Sequence, residues 1–185
     1  MYAKPNPTRD EIVEAALDIV SLRGMEGLTM RKLRNALDCS YEAIVEEFES
    51  LEEVQIDVRA AARRHFENLG EWYVKDIPVH YQTAMRLILY GLKKPWLFQI
   101  VCLPDGSENQ AEYMKQYMER VAGPCQDALR EAFGLTEEDA RKLFEDMWIY
   151  AFGLGTLCAA RICHYTEDEI IRMLERHTAA CMGKV

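Results

Sequence analysis

Hydroxyl, cationic and acidic side chains are grouped in two short segments near the N-terminus, where they could bind a nucleic acid. The first segment spans residues 29–34 and the second spans residues 40–46. Hydroxyls and cations bind phosphate oxygens, and a glutamate can accept a hydrogen bond from the N4 amine of cytosine. We therefore expect the DNA-contacting residues to be Thr29, Arg31, Lys32, Ser40, Tyr41, Glu42, Ala43 and Glu46, with further contacts from Arg34, Arg9 and Lys4.

Two short helices joined by a turn would position these side chains. Thr29 precedes a helix whose apolar face carries Met30, Leu33 and Leu37 at helical spacing, and its hydroxyl is a suitable N-cap. The turn at residues 38–40 ends on Ser40, which is an N-cap for the second helix.

In the second helix, Ile44 and Phe48 lie one turn apart and should face the core. This orientation should leave Tyr41, Glu42, Ala43 and Glu46 pointing away from it. A capped helix pair of this kind is a helix-turn-helix, whose second helix can enter a DNA major groove.

The first fifty or so residues resemble the DNA-binding region of the tetracycline-repressor (TetR) family of bacterial transcriptional regulators. The matching positions are Thr8-Arg9-Asp10-Glu11-Ile12, Arg23-Gly24, Gly27, Thr29-Met30-Arg31, Leu33, Ser40, Ile44, Phe48, Ser50 and Val54. Four positions depart from the family pattern. Where the family has a groove-facing Lys and then a small Gly, this chain has Tyr41 and Glu42. Where the family has a phosphate-binding Tyr and a phosphate-binding Lys, this chain has Val45 and Leu51. The resemblance implies a homodimeric regulator that binds a palindromic operator, and a fold of about nine helices.

The negative charge of the chain acts against DNA binding. The formal net charge is −9, and residues 1–66 hold nine Lys or Arg against thirteen Asp or Glu. Between Arg34 and Arg59 there are eight acids and no Lys or Arg. Since affinity for DNA comes largely from cations that neutralise phosphates, two readings stay open. One is a ligand-responsive DNA-binding regulator, expected to be a repressor. The other is a dimer of the same fold that has lost operator binding and binds a small molecule or a protein instead.

The pattern along the chain predicts an all-α protein of two domains. We expect a helix-turn-helix DNA-binding domain at residues 1–50, and a ligand-binding and dimerisation domain at residues 51–185. A long helix from about Ser50 to Asp76 should join them, and Pro78 should end it. Residues 104–107 are expected to form a turn.

Large aromatic and Met side chains are concentrated in the middle of the chain. Such side chains line pockets for small organic molecules, although at helical spacing they also occur as plain core. We expect a small apolar or aromatic effector in a pocket lined by Tyr81, Met85, Trp96, Tyr113, Tyr117, Trp148 and Phe152, with Trp72 nearby.

The last two predicted helices, residues 136–163 and 166–183, carry more apolar surface than one contact can cover. A helix that is apolar on two sides needs a neighbour on each, so one side should meet a second copy of the chain. The alternative is a helix buried in the core of a monomer. The interface is expected to contain Tyr150, Leu154, Gly155, Leu157, Ile170 and Leu174, a pairing that the family resemblance also implies.

Several classes of function are not indicated. The six cysteines form no C-x-x-C pair, and no nucleophile–base pair or phosphate-binding loop is visible, so we expect no cofactor, no metal site and no enzyme activity. No apolar run could span a bilayer and no signal peptide is visible, which predicts a cytoplasmic protein without a membrane partner.

Overall fold

The computed structural model describes residues 6–68, 73–103 and 108–183, without the side chains of residues 108–110. Lys4, Trp72 and the predicted turn at 104–107 lie outside this part of the chain. The described residues form nine α-helices and no β-strand, which confirms the predicted all-α fold. The helices are α1 (Arg9–Arg23), α2 (Met30–Leu37), α3 (Tyr41–Val45), α4 (Leu51–Glu67), α5 (Val79–Lys93), α6 (Pro95–Cys102), α7 (Glu108–Phe133), α8 (Glu137–Ala159) and α9 (Glu167–Cys181).

Threonine caps begin four of these helices, α1, α2, α8 and α9. Thr8 and Thr166 each form a capping box with a glutamate three residues later, and Thr136 accepts a hydrogen bond from the backbone N–H of Asp139. Gly24, with φ of 71°, ends α1 in a conformation that favours glycine. The starts of α1, α8 and α9 are therefore determined by local sequence.

The first compact unit covers residues 1–67 and contains α1 to α4. Helix α1 packs on α2 and α4, and α2 packs on α3. Its core is formed by fully buried apolar side chains, which include Ile12, Ala16, Val20, Leu33, Ile44, Phe48, Val54 and Val58. The first unit thus includes all of α4, whereas the DNA-binding domain expected from the sequence ends at residue 50.

The predicted helix from Ser50 to Asp76 is shorter than expected, since α4 ends at Glu67 and residues 73–76 are not helical. Asp76 has a φ of 65°, which an α-helix does not allow. The Gln82 side chain accepts a hydrogen bond from the backbone N–H of Val74 and donates to the carbonyls of Val74 and Ile77. These bonds satisfy backbone groups that a continuous helix would have paired internally.

The second unit covers residues 68–185 and is built around α5. Helix α5 packs on α6, α7, α8 and α9, and its residues 84–91 are all buried. The tightest approach joins α5 to α8 at Gly91 and Gly155, where a Cβ on either glycine would collide with backbone of the other helix. None of the helices in the described ranges is long and apolar enough to cross a membrane.

Candidate functional site

The helix-turn-helix is held at both caps by the residues that the sequence indicated. The Thr29 hydroxyl accepts a hydrogen bond from the backbone N–H of Lys32 at 3.3 Å, and the Ser40 hydroxyl accepts one from Ala43 at 3.1 Å. Between the helices, Asp38 adopts a left-handed conformation with φ of 50°. The turn therefore has the capped geometry that orients α3 against α2.

Helix α3 presents a mixed aromatic and acidic surface to solvent. Tyr41 is 49% exposed, and Glu42 and Glu46 are also exposed. The prediction that Ala43 points away from the core is wrong, because Ala43 is only 3% exposed beside the buried Ile44. On this five-residue helix the two neighbouring positions both face inward. Ala43 therefore supports α3 and does not lie on its outer surface.

Only part of the predicted cationic surface is available. Arg31 and Arg34 on α2 are exposed. The Lys32 ammonium donates a hydrogen bond to the Gly27 carbonyl at 2.7 Å, so it is held against its own unit. Within the described residues of this face, Arg31 and Arg34 remain the exposed cations on α2.

The Arg9 guanidinium, expected to bind a phosphate, is paired with groups of its own unit, although its side chain is 41% exposed. Its Nε and Nη2 form ion pairs with Asp57 and Glu53 at 2.9 Å and 2.8 Å, and its Nη1 donates to the Glu47 carbonyl at 2.8 Å. The guanidinium also lies 3.9 Å from the centroid of the Phe48 ring. Arg9 thus links α1 to α4 and to the segment that follows α3.

Hydrogen bonds lower the pKa of two of the eight acids between Arg34 and Arg59, Glu53 and Glu42. The Arg9 side chain, and after it the Glu49 backbone N–H, lower the pKa of Glu53. The pKa of Glu42 is lowered by a bond from its own backbone, by Ser40 and by the nearby charge of Arg34. Both groups stay ionised at neutral pH, so α3 and the start of α4 carry a negative surface that Arg9 only partly neutralises.

The predicted effector residues of the second unit form two groups. One is a chain of aromatic rings in which Trp148 lies between Tyr117 and Phe152, with centroid distances of 6.0 Å and 6.5 Å, and Tyr113 is stacked on Tyr117 at 6.5 Å. Among the described residues, Tyr81 and Trp96 make no ring contact with that chain, and Met85 is fully buried. Tyr81 instead contacts His80.

The void beside this cluster is small. A cavity of about 10 Å³ is lined by Trp148 and by further side chains of α5, α7 and α8, namely His80, Thr83, Ala84, Leu87, Cys125, Phe144, Met147 and Ala151. Organic ligands usually occupy some 300–1,000 Å³. The aromatic side chains therefore fill their own space in this conformation, and a ligand could enter only if they move.

Arg86 is a polar residue of this region that the sequence analysis missed. It lies in the middle of α5 and is only 7% exposed. Its Nη1 donates a hydrogen bond to the Tyr117 hydroxyl at 2.9 Å, whereas its Nε has no partner. The sequence signal was an arginine within the apolar segment Ala84–Tyr90, where no other charged residue occurs.

Most of the predicted dimer interface is buried within one chain. Leu154, Gly155, Ile170 and Leu174 are all covered, and a Cβ on Gly155 would lie 2.9 Å from the Leu87 carbonyl oxygen of α5. Within one chain, the stripe that carries these four residues faces α5 and its own domain, so they are not part of the exposed surface of the second unit. Tyr150 is half-buried and stacks on His177 at 4.1 Å, which links α8 to α9.

A different stripe of α8 is open to solvent. Ile149 is 69% exposed, Leu157 is 38% exposed, and nothing surrounds Gly153 between them. Ile162, just after the helix, is 70% exposed. These four positions form an uncovered apolar face, which we call the α8 outer face.

Comparison with known proteins supports the fold. No protein-family model and no curated protein matches the chain. A TetR family protein from Vibrio parahaemolyticus has a similar structure, with a TM-score of 0.59 and 20% sequence identity over 93% of this chain and 97% of that one. Apo ActR from Streptomyces coelicolor aligns with a TM-score of 0.45 and 18% identity over 98% of each chain. The Vibrio structure confirms that the chain has the fold of TetR family proteins.

Proposed function

We propose that this chain, which has the TetR-type fold, is a homodimeric DNA-binding regulator of transcription, acting as a ligand-responsive repressor. Two helix-turn-helix units related by a two-fold axis would bind a palindromic operator, with half-sites about one DNA turn apart. Arg31 and Arg34 would bind phosphates, with Thr29, Lys32 and Ser40 beside them. Tyr41, Glu42 and Glu46 would meet the base edges.

The observation that carries this proposal is the capped helix-turn-helix itself. Thr29 and Ser40 satisfy the first backbone groups of α2 and α3, and α3 exposes Tyr41, Glu42 and Glu46. A glutamate in a major groove can accept a hydrogen bond from cytosine N4, so an acidic reading helix is compatible with base recognition.

The acidic surface favours a second function. With Arg9 held by Glu53 and Asp57, and Lys32 held by Gly27, the described part of the face has few cations for a phosphate backbone. In this alternative, the dimer has lost operator binding, and the same surface binds a basic protein partner or the chain acts through a small molecule alone.

A charge-reversal experiment distinguishes the two functions. Replacing Glu42, Glu46 and Glu49 by Lys should raise affinity for a random-sequence DNA duplex by more than about tenfold at low salt, if this face already approaches the phosphates. Fluorescence anisotropy with a labelled duplex measures the change.

The matched control replaces the exposed acids Glu119, Glu131 and Glu175 of the second unit by Lys. It changes the net charge by the same amount, so it should raise DNA affinity much less. Equal gains in the two triple variants would show that overall charge governs binding, and they would favour the second function.

The dimer would be built on the α8 outer face. Ile149, Gly153 and Leu157 recur every four residues, so they line one side of the helix, and the open space over Gly153 lets a second helix approach closely. Tyr150 and Leu157 are the two originally predicted interface residues that the fold leaves at least partly accessible.

A further inference from the structure

Arg86 places a permanent positive charge in the interior of the second unit. Arg86 is only 7% exposed, and its neighbours on both sides along α5 are buried. A guanidinium stays protonated at any pH that a protein survives, so burial cannot neutralise it. Burying such a group without an opposite charge is strongly unfavourable.

No residue that the structure describes supplies that opposite charge. Among the described residues, Arg86 has the neutral Tyr117 hydroxyl as its hydrogen-bond partner and no ion pair with a carboxylate. Its Nε has no acceptor. The Nη1 atom is used by Tyr117, so the edge formed by Nε and Nη2 is the free one. This edge has the geometry that binds the two oxygens of a carboxylate.

Tyr117 connects this charge to the aromatic cluster. Its ring lies 6.0 Å from that of Trp148, and Arg120 lies 5.4 Å from the Tyr117 ring centroid. Burial raises the pKa of the Tyr117 phenol, and the neighbouring Arg86 opposes that rise without abolishing it. The phenol therefore stays neutral and leaves the charge of Arg86 uncompensated. Tyr117 thus lies between the cationic Arg86 and the apolar ring of Trp148.

We propose that the effector is an apolar monocarboxylate whose carboxylate pairs with the free edge of Arg86. A single planar anion matches the single charge and the two-donor edge, whereas a phosphate would bring more charge and more oxygens than Arg86 can satisfy. The apolar body would lie among Trp148, Phe152 and the small cavity beside Trp148, displacing those side chains. This inference rests on the proposed function only in taking α5 to α8 as the effector-binding part of the chain.

Thermal-shift measurements with matched acids and amides test the proposal. The probes are phenylacetate, octanoate and decanoate, each compared with its primary amide at millimolar concentration. At least one acid should raise the melting temperature of the wild-type chain by mass action, and it should bind at least about tenfold more tightly than its amide, since charge-assisted hydrogen bonds are the stronger ones.

Arg86→Met removes the charge and keeps an apolar side chain of similar length. Because replacing a buried charge by an apolar residue is often neutral or stabilising, this variant should fold and melt no lower than wild type. Its preference for acid over amide should disappear. Arg86→Lys keeps a charge but lacks the two-donor edge, so it should lose most of the acid-induced shift. Arg130→Met, at an exposed arginine of α7, is the control and should respond like wild type.

Three results would overturn the proposal: equal binding of acids and amides, an unchanged acid preference in Arg86→Met, or no shift with any of the acids. DNA binding is measured separately. If the chain binds the acids through Arg86 but binds no DNA, the proposed regulator is refuted and this inference stands. If it binds DNA but shows no Arg86-dependent binding of acids, this inference is refuted and the proposed regulator stands.

Discussion

Arg9 determines much of the charge distribution on the helix-turn-helix unit. Its guanidinium contacts two carboxylates, one backbone carbonyl and the Phe48 ring, and these contacts join α1 to the first half of α4 and to the segment before it. The arginine matches a position of the TetR pattern, yet its charge is paired with acids of its own unit. Its role here is therefore structural, and in the proposed function the phosphate contacts come mainly from α2.

Arg9→Met should destabilise the first unit, and the effect should depend on pH. The Arg9 side chain lowers the pKa of Glu53, so this carboxylate is more stable ionised in the folded state than in the unfolded one. The resulting stability is present above the unfolded pKa of about 4.3, and it is lost as the pH falls through the lower folded pKa. The melting temperature of the variant should therefore lie below that of wild type at neutral pH, and the gap should shrink in acid.

Far-UV circular dichroism as a function of temperature measures this gap at each pH. Arg31→Met, at an exposed arginine of the same unit, should change the melting temperature little at any pH. A constant difference between wild type and Arg9→Met from neutral pH down to about 2 would contradict the role given to Glu53.

The crossing of α5 and α8 explains why four of the six predicted dimer residues are internal. The periodicity of α8 shows which residues share a side of the helix, but it does not identify the element that covers that side. Gly155 faces the Leu87 carbonyl and the Phe98 ring, whereas Gly153 faces open space. Two glycines of the same helix, two residues apart, therefore have opposite roles.

Alanine at each of these glycines should give opposite effects on stability. Gly155→Ala introduces a methyl group against backbone and should cost about 1–3 kcal/mol of unfolding free energy. Gly153→Ala is compared in the Ile149→Arg background, where no partner chain covers the α8 outer face. There it meets no neighbour and gains helix propensity, so it should be stabilising by about 0.5–1 kcal/mol. Denaturant unfolding measures both values, each against its own parent protein, and a loss of stability on Gly153→Ala in the monomeric background would refute the open position within the chain.

Local signals in the sequence were sufficient for the helix starts and for the helix-turn-helix caps. Thr8, Thr29, Ser40, Thr136 and Thr166 each cap the predicted helix, because a cap depends on residues within one turn. Three features could not be predicted in this way, because they depend on neighbours distant in sequence. They are the end of α4, the inward orientation of Ala43 and the ion pairs of Arg9. Arg86 was missed for the same reason, since its burial follows from the packing of α5 among four helices.

At the scale of the whole molecule, the α8 outer face predicts a homodimer. Light scattering at micromolar concentration should give about twice the chain mass of 21.4 kDa. Ile149→Arg places a charge on this face, so it should convert the protein to a monomer without unfolding it. Ile56→Arg introduces the same change at an exposed isoleucine of the first unit and should leave the dimer intact. A wild-type monomer across this concentration range would exclude the dimer.

The central claim is that the capped helix-turn-helix recognises a specific DNA sequence despite its acidic surface. Selection of genomic fragments by the wild-type protein at low salt, followed by sequencing, tests it most directly. We expect an enriched palindromic site with half-sites about one helical turn apart, and a loss of enrichment when Arg31 is replaced by Ala. Failure to recover any enriched sequence, with and without the carboxylate probes, would contradict the claim and leave the acidic face as a surface for another protein.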